Sequence, residues 1–315
     1  MVDSKQQWKA WLYLLPAILL LLVFTVYPII NTVRVAFLEN YNALSASNGM
    51  SFKFGVGNFR YVLFEYEDFL QCLKITAILC VVTVPISTFL ALLIAVCLNA
   101  IKPLKRVLQT IFFLPYVTNS IAIGMVFTAM FNVVGNLGSS NVKIDDPGII
   151  NYVLGVIGIA PINWINNSST EVANIIVLVI YIVWNALPFK ILILLGGLQG
   201  VNKQYYDAAK VDGTSRTRVF WRITIPLLSP MLAYVIITGF IGGFKEYSSV
   251  VGVFGDTMGP NDAPNRLNTM VGFIYTNIRQ NQEYGIASAA ALILFLIIFA
   301  VTLVNLYVSK KKVHY

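Results

Sequence analysis

The sequence is poor in charged residues and has only one histidine and three cysteines. Charged side chains make up 11% of the 315 residues, whereas hydrophobic side chains make up 57%. A mean hydropathy of +0.74 is too high for a chain that encloses its apolar surface in one water-soluble core. The composition therefore excludes an ordinary soluble domain and predicts an integral membrane protein.

The cysteines and the sequence motifs exclude several kinds of site. Cys72, Cys80 and Cys97 lie in or beside one apolar segment, with neither metal-ligand spacing nor the pattern of a disulfide framework. The chain contains no phosphate-binding loop of the form G-x-x-x-x-G-K-[ST] and no soluble nucleotide-binding domain. We therefore expect no cofactor bound to this chain.

The formal net charge of +8 does not indicate nucleic-acid binding. Multi-pass membrane proteins keep Lys and Arg on their cytoplasmic side, and this explains the excess of basic residues better than nucleic-acid binding does. We expect lipid, and no nucleic acid, among the partners.

Six stretches are long and apolar enough to cross a bilayer, which requires about 20 mostly apolar residues. The first continues to Phe37 without a small-residue cleavage pattern, so we expect a retained helix and not a signal peptide. The pattern predicts an all-α, polytopic membrane protein in which residues 1–315 form one transmembrane domain. The predicted spans are about 11–37, 70–98, 107–134, 172–198, 227–252 and 284–308.

Basic residues predict the orientation of these spans. Thirteen Lys and Arg residues fall in the two terminal segments and in the second and fourth intervals, against five in the other three intervals. Because cytoplasmic segments carry the excess of basic residues, both termini and the fourth interval are expected in the cytoplasm.

The three outer intervals differ in character. Interval 39–69 mixes aromatic and acidic residues and predicts a short interfacial helix. The apolar segment 149–159 is too short to span, and we expect it to lie along the outer surface or to re-enter partway. Interval 255–283 is rich in Gly, Pro, Asn and Asp, and we interpret it as a loop.

The fourth interval contains a long polar segment, Lys203–Pro226, with its own pattern. Asp207 and two alanines precede Asp212-Gly213, which predicts a helix end because glycine accepts a positive φ. Thr214 or Ser215 can cap a second helix. We predict a helix, a glycine turn and a helix at the membrane surface.

This segment resembles the cytoplasmic EAA loop of ABC importer permeases. The family pattern is E-A-A, three residues, Gly, nine residues and I-x-L-P. Asp207-Ala208-Ala209, Gly213 and Ile223-Thr224-Ile225-Pro226 keep that spacing, with Asp in place of Glu and Ile in place of Leu. A basic amphipathic turn that matches by chance is disfavoured by the full spacing and by the position between the fourth and fifth spans.

Shorter matches resemble the carbohydrate branch of the family, the maltose and multiple-sugar permeases, and there the first permease of a pair. The usual Gly-Gly-Pro is Met258-Gly259-Pro260 here, and the interval before it is longer than usual. The other matches are Leu198-Gln199, Phe244-Lys245, Pro161-Ile162-Asn163-Trp164 and the basic C-terminus.

The resemblance implies the architecture of a type I ABC importer permease in the bacterial cytoplasmic (inner) membrane, with a carbohydrate as substrate, expected to be an oligosaccharide. It implies a second, homologous permease, a dimer of cytoplasmic ATPase subunits that holds ATP and Mg²⁺, and an extracellular or periplasmic solute-binding protein docking on 145–164 and 255–283. This chain is then a non-enzymatic subunit that works by alternating access. The residues implied in ATPase coupling are Tyr206, Asp207, Ala208, Ala209, Asp212, Gly213 and Arg216.

Two polar clusters in the predicted spans are candidate substrate contacts, because polar groups inside a membrane are expensive. Sugars need hydrogen-bond partners for their hydroxyls and flat aromatic faces for their C–H surfaces. The resemblance to the maltose permease places a sugar midway across the membrane against these spans. The candidates are Trp184, Asn185 and Phe189 in span four, and Lys245, Glu246, Tyr247 and Ser248 in span five.

The same residues have structural interpretations. Lys190 can extend to an interface, and Lys245 with Glu246 can form an ion pair. Trp184 and Tyr247 can serve in packing or in an aromatic belt. The substrate's charge stays open, since the two lysines favour an anion and the glutamate opposes one.

Two other classes of function compete with the importer hypothesis. An ion-coupled secondary transporter acting alone would use Lys245 and Glu246, but such proteins carry repeats, and we find no convincing one. A membrane enzyme would use Glu246 or His314, but His314 lies in the terminal tail, which is expected to be solvated.

Overall fold

A computed structural model describes residues 7–39, 41, 52–101, 105–135 and 144–312, and these residues are mostly helical. The strands β1 (Val134–Gly135) and β2 (Ile144–Asp146) form a short antiparallel pair. The α-helices are α1 (Gln7–Leu21), α2 (Tyr27–Ala36), α3 (Gly57–Arg60), α4 (Glu67–Ala100), α5 (Lys105–Val117), α6 (Ser120–Phe131), α7 (Gly148–Val156), α8 (Glu171–Gly200), α9 (Lys203–Val211), α10 (Arg216–Val219), α11 (Ile225–Gly243), α12 (Ser248–Phe254), α13 (Met270–Arg279) and α14 (Tyr284–Lys312). Shorter π-helical turns cover Leu22–Val26, Tyr61–Glu65 and Phe220–Thr224, and a 3₁₀ turn covers Gly255–Thr257.

Within the described ranges, five helices are long and apolar enough to cross a membrane. A sixth stretch passes the same test as a bent pair, Val107–Val117 with Ser120–Phe131. These elements confirm an all-α polytopic protein. The five helices are Trp11–Ala36, Glu67–Ala100, Glu171–Gly200, Arg216–Gly243 and Tyr284–Lys311.

The third predicted span, 107–134, is not one straight helix. α5 and α6 meet at an angle of 98°. Asn119 has an extended backbone, and its side chain accepts the N–H groups of Ile121 and Ala122, which begins a new helix. Pro115 removes a backbone donor in the last turn of α5 and favours a break there.

The fifth span differs from its predicted bounds of 227–252 at both ends. Its helix begins at Arg216 and continues through a π-helical turn into α11. It ends at Gly243, and a tight turn follows in which Lys245 N–H and Glu246 N–H donate to the carbonyls of Gly242 and Gly243. The chain then re-forms a helix as α12.

The outer intervals confirm one predicted helix, contain a second helix in the short apolar segment, and correct one predicted loop. A helix covers 57–65, and another covers Gly148–Val156. The prediction of a loop over 255–283 is wrong at Met270–Arg279, which forms α13. The Gly, Pro, Asn and Asp residues are concentrated before Met270, and the apolar residues after it are free to form a helix. Residues 42–51 and 136–143 lie outside the described residues.

The chain divides into two compact units, and the first contains residues 1–69 and 273–295. Asn58 Nδ2 donates to the carbonyl oxygens of Ala36 (3.0 Å) and Leu38 (2.9 Å). The ring of Tyr66 lies edge-on to Phe273, with 4.9 Å between the centroids. These contacts connect segments of this unit that are distant in sequence.

The second unit, residues 70–272 and 296–315, contains two apolar clusters. Both clusters draw on α4 and α8: the first includes Leu79 and Ile182, and the second includes Ala91 and Ile191. Polar residues occur between Leu79 and Ala91 on α4, and between Ile182 and Ile191 on α8. A polar layer therefore lies near the middle of both helices.

Two glycines allow α6 and α12 to touch within this unit. A Cβ atom on Gly124 would lie 2.5 Å from the Cα of Gly252. Only hydrogen is small enough at such a contact, which is the usual role of small residues between membrane helices. The contact holds the short α12 against the broken span.

Candidate functional site

A cavity of about 460 Å³ lies in the second unit, between its two apolar clusters. Its wall is formed by the middle of α4 and α8, the junction of α5 and α6, the end of α11 and the turn that follows α11. Cavities of about 300–1,000 Å³ with a few polar groups are typical of small-molecule sites. We refer to it as the central cavity.

Helical spacing explains why polar groups collect there. Thr83 and Ser87 are four residues apart on α4, and Asn185 and Phe189 are four apart on α8, so each pair lies on one helix face. The hydroxyl of Ser87 donates to the carbonyl of Thr83 at 2.5 Å. This internal bond lets a polar residue remain in a membrane helix when no ligand is present.

Lys190 is the most deeply buried charged residue in the central cavity wall, at 5% exposure. Its Nζ donates to the carbonyl of Val84 (3.2 Å), to Ser87 Oγ (2.6 Å) and to Thr88 Oγ1 (3.0 Å). These three bonds use all the donors of an ammonium group and join α8 to α4. The alternative that Lys190 extends to an interface is therefore wrong.

An aromatic pair forms another part of the wall. The ring of Phe189 is nearly parallel to that of Tyr116, at 17° and 6.0 Å between centroids. Tyr116 belongs to the last turn of α5 and reaches the cavity because the chain breaks after Val117. The two flat faces are suited to the C–H surface of a sugar ring.

Asn185 is positioned by a small hydrogen-bond network. Its Nδ2 lies 3.3 Å from Ser120 Oγ and 3.4 Å from the hydroxyl of Tyr181. The hydroxyls of Ser120 and Tyr181 are 2.9 Å apart, and Tyr181 also bonds to the Ser120 carbonyl. The network ties α8 to the beginning of α6.

The turn after α11 contributes both signs of charge. The carboxylate of Glu246 accepts the N–H groups of Tyr247 (3.2 Å) and Ser249 (3.0 Å), and so caps α12. Lys245 is exposed at the same wall. Among the described residues, no ion pair includes Lys245 or Glu246, and the ion-pair alternative for them is not observed.

The structure brings together six of the seven predicted substrate contacts. The exception is Trp184, which is 38% exposed and packs against Phe127 with 5.7 Å between the rings. One residue corresponds to about 100° of rotation on a helix, so Trp184 points away from the direction taken by Asn185. The six that line the cavity are Asn185, Phe189, Lys245, Glu246, Tyr247 and Ser248.

Sequence reasoning did not select Tyr116 and Ser120, nor the α4 hydroxyls. A signal for the first two was present, because Pro115 and a helix-capping Asn119 predict a broken helix. Irregular backbone at membrane depth is tolerated where it lines a cavity. The residues beside such a break are therefore candidates for the cavity wall.

A second cavity of about 710 Å³ connects two of the outer intervals. Asn166 Nδ2 donates to Asn132 Oδ1 (2.7 Å) and to the carbonyl of Val133 (3.0 Å). Ser168 N–H donates to Asp262 Oδ2 at 2.6 Å. The residues around Asn166 and those around Asp262 therefore form one continuous polar surface.

The polar segment Lys203–Pro226 has the predicted helix, glycine turn and helix. Asn202 caps α9 by accepting the N–H of Gln204 at 3.0 Å. Gly213 has a φ of +64°, and Thr214 N–H donates to the carbonyl of Ala209 at 2.9 Å. This is a left-handed helix end, for which glycine is favoured.

The residues with predicted coupling roles divide by exposure. Ala209 is buried at 5%, and the Tyr206 hydroxyl lies 3.4 Å from Thr224 Oγ1, so both contribute to contacts within the chain. Asp207 pairs with Lys210 at 3.0 Å, but both side chains are mainly exposed and such a pair contributes about 0–1 kcal/mol. The exposed members of the set are Asp207, Ala208, Asp212, Gly213 and Arg216.

A comparison with protein families gives a match that covers most of the central cavity wall and the polar segment Lys203–Pro226. The family model described as "Binding-protein-dependent transport system inner membrane component" matches residues 84–314. The chain belongs to this family. The matched range starts within α4 and contains most of the central cavity wall and the whole polar segment.

Curated relatives of this family member are permeases of sugar transport systems. The AraP arabinooligosaccharide permease of Bacillus subtilis is 28% identical over 301 residues, covering 95% of this chain and 88% of AraP. The LacF lactose permease of Rhizobium radiobacter is 29% identical over 309 residues, covering 96% and 95%. The predicted resemblance to carbohydrate permeases of ABC importers is confirmed.

Solved structures support the same fold for this inner membrane component. A bacterial ABC transporter involved in the import of the acidic polysaccharide alginate matches with a TM-score of 0.77 at 20% identity, covering 98% of this chain and 97% of the other. A bacterial alginate ABC transporter in complex with alginate pentasaccharide-bound periplasmic protein matches with a TM-score of 0.74 at 22% identity. At this identity the match establishes the fold, which is that of an ABC importer permease.

Proposed function

We propose that this chain forms half of the translocation pathway of a carbohydrate ABC importer and binds the sugar in its central cavity. The observation that carries the proposal is a partly open cavity with polar and aromatic groups in its wall, between two apolar clusters in the middle of the spans. Asn185 and Ser248 offer hydrogen bonds to sugar hydroxyls, and Phe189 with Tyr116 offers flat faces.

The partners in this proposal supply what the chain lacks. A second, homologous permease completes the pathway, a solute-binding protein delivers the sugar to the outer polar surface, and a cytoplasmic ATPase dimer binds ATP and Mg²⁺. This chain contributes neither a cofactor nor an enzymatic step. The family description names a binding-protein-dependent transport system, and the relatives are named as permeases of transport systems, which supports the part played by the binding protein.

A continuous helix links the polar segment Lys203–Pro226, for which we propose a role in coupling to the ATPase, to the central cavity. Arg216–Gly243 contains 28 residues, which corresponds to about 40 Å at about 1.5 Å per residue. It starts three residues after Gly213, and Thr238, Gly239, Gly242 and Gly243 near its other end line the cavity. Movement of α9 by the ATPase dimer would therefore displace the cavity wall directly and drive alternating access.

Transport by the reconstituted complex tests the proposal. With the partner permease, the ATPase and the binding protein in vesicles, we expect sugar uptake that requires ATP and is abolished when the ATPase is omitted. An imposed proton or sodium gradient without ATP should give no uptake. Uptake by this chain alone, driven by an ion gradient and indifferent to ATP, would show a secondary transporter instead.

Replacing Phe189 by leucine should weaken sugar recognition. Leucine keeps an apolar side chain but removes the flat ring that we propose for the C–H surface of the sugar and that stacks on Tyr116; stacking on an aromatic face contributes about 0.5–1.5 kcal/mol beyond the buried area. We expect the KM for sugar-stimulated ATP hydrolysis by the full complex to rise about twofold to tenfold. The matched control is Trp184→Phe, because Trp184 does not line the cavity and should change KM less than twofold. Equal effects of the two variants would contradict the assignment of the aromatic wall.

A further inference from the structure

The charges of the central cavity are not balanced. Among the described residues that line it, three carry a formal charge: Lys190, Lys245 and Glu246. Two are cations and one is an anion. The cavity wall of this chain therefore has an excess of one positive charge.

The single carboxylate does not neutralise the buried cation. The three acceptors of Lys190 are neutral oxygens, from Val84, Ser87 and Thr88. Glu246 accepts two backbone N–H groups of the α12 turn. No ion pair in the part of the chain that the structure describes includes Lys190. Buried charges are usually paired with an opposite charge, because burial removes their hydration.

We propose that the central cavity takes saccharides that bear an acidic group, a carboxylate or a phosphate, whose charge is the missing counter-ion of Lys190. The inference rests on the proposed function and specifies its substrate class. Lys190 acts as a fixed charge at a distance, since its three donors already have acceptors. Lys245 is exposed in the same wall and is free to approach the acidic group directly.

The physical basis is the surroundings of the cavity. Apolar clusters lie on both sides of it, and a cleft with walls of low dielectric constant focuses the field of its charges. A charge interaction that is weak in water becomes much stronger in such a place. A neutral sugar has only its hydroxyl dipoles to interact with this field, whereas the net charge of an acidic sugar is attracted by it.

Lys190→Gln is a suitable test variant because the hydroxyls around it keep partners. Ser87 Oγ donates to the Thr83 carbonyl, and Thr88 Oγ1 donates to the Val84 carbonyl at 2.7 Å. The glutamine amide also retains a donor for this region. The matched control is Lys74→Gln, which removes a lysine from the neighbouring helix α4, where it pairs with Glu171 away from the cavity.

The experiment measures binding to the purified full complex, without the binding protein, by equilibrium dialysis. The probes are radiolabelled maltotriose, trigalacturonate and galactose 6-phosphate. We expect at least one acidic probe to bind tenfold or more tightly than maltotriose, and 0.5 M NaCl to reduce that preference. Lys190→Gln should reduce the preference to below threefold, whereas Lys74→Gln should leave it unchanged. The comparison of the two acidic probes distinguishes a carboxylate from a phosphate.

Each other outcome overturns the inference in a recognisable way. Tighter binding of maltotriose would overturn it while leaving carbohydrate import intact. An acidic preference that survives in Lys190→Gln would show that the selecting charge belongs to another residue or to the second permease. If none of the three probes binds and no saccharide is taken up by the reconstituted complex, the proposed function fails as well.

Discussion

Replacing Gly213 by valine is expected to reduce ATP-driven uptake at least tenfold while leaving membrane insertion unchanged. Gly213 has a φ of +64°. A residue with a Cβ pays roughly 1–2 kcal/mol in this region, and a β-branched residue is the least tolerated. A difference of about 1.4 kcal/mol corresponds to a tenfold change in an equilibrium constant. We expect the turn between α9 and α10 to change shape and the partner ATPase to dissociate more readily.

The surroundings of Gly213 make this prediction specific to the backbone. Beyond the neighbouring residues, no heavy atom lies within 4 Å of a Cβ built at this position, so the cost of a side chain here comes from the local backbone conformation. Asparagine tolerates the left-handed conformation, and Gly213→Asn should retain more than half of the wild-type uptake. Retention of the ATPase is measured by co-purification, and uptake is measured in the same vesicles. Wild-type values for Gly213→Val would contradict a coupling role for this turn.

Filling the central cavity from Gly242 should abolish uptake. Gly242 lines the cavity, and nothing lies within 4 Å of a Cβ added there. The leucine side chain in Gly242→Leu can therefore extend into the space proposed for the sugar without displacing backbone. We expect sugar-stimulated ATP hydrolysis and uptake to fall at least tenfold, while the amount of assembled complex stays the same.

Gly196→Leu is the matched control for this variant. Gly196 is also an exposed glycine within a membrane helix, a Cβ added to it would meet no heavy atom within 4 Å, and it does not line the central cavity. Both substitutions improve helix propensity to a similar extent. Loss of transport in both variants would indicate a general effect of bulk in the spans. Normal transport in Gly242→Leu would remove the central cavity from the pathway.

The conformation of the polar segment Lys203–Pro226 was predictable from local sequence. A carboxylate with two alanines, a glycine at the helix end and an I-x-I-P at fixed spacing each act through neighbouring residues. The helix, glycine turn and helix are observed at those positions. What the sequence did not show is that α10 continues into the fifth span. Pro226 and Pro230 suggested a boundary, but the helix continues through both of them. The π-helical turn Phe220–Thr224 lies directly before this stretch, and membrane helices tolerate prolines where such local adjustments satisfy the freed backbone groups.

The central cavity was predictable only in part. Asn185 and Phe189 were found because they are polar or aromatic residues near a proline in a membrane span. Trp184 shares that neighbourhood, yet the helix turns it towards Phe127. Tyr116 reaches the cavity through the 98° bend between α5 and α6. Side chains of adjacent residues on a helix point in different directions. Hydropathy alone does not show which of them points into the cavity.

The sequence by itself determined that this protein is a multi-pass helical membrane protein, how its spans are ordered and where its helix, glycine turn and helix lie. These properties follow from apolar length, basic charge and local turn chemistry, which act over a few residues or over one helix. Only the tertiary structure decided the surroundings of Lys190, whose acceptors on α4 are more than 100 residues away in the chain. Whether a lysine in a span reaches water or is buried without a counter-ion depends on which helix packs against it, and that is a property of the folded chain.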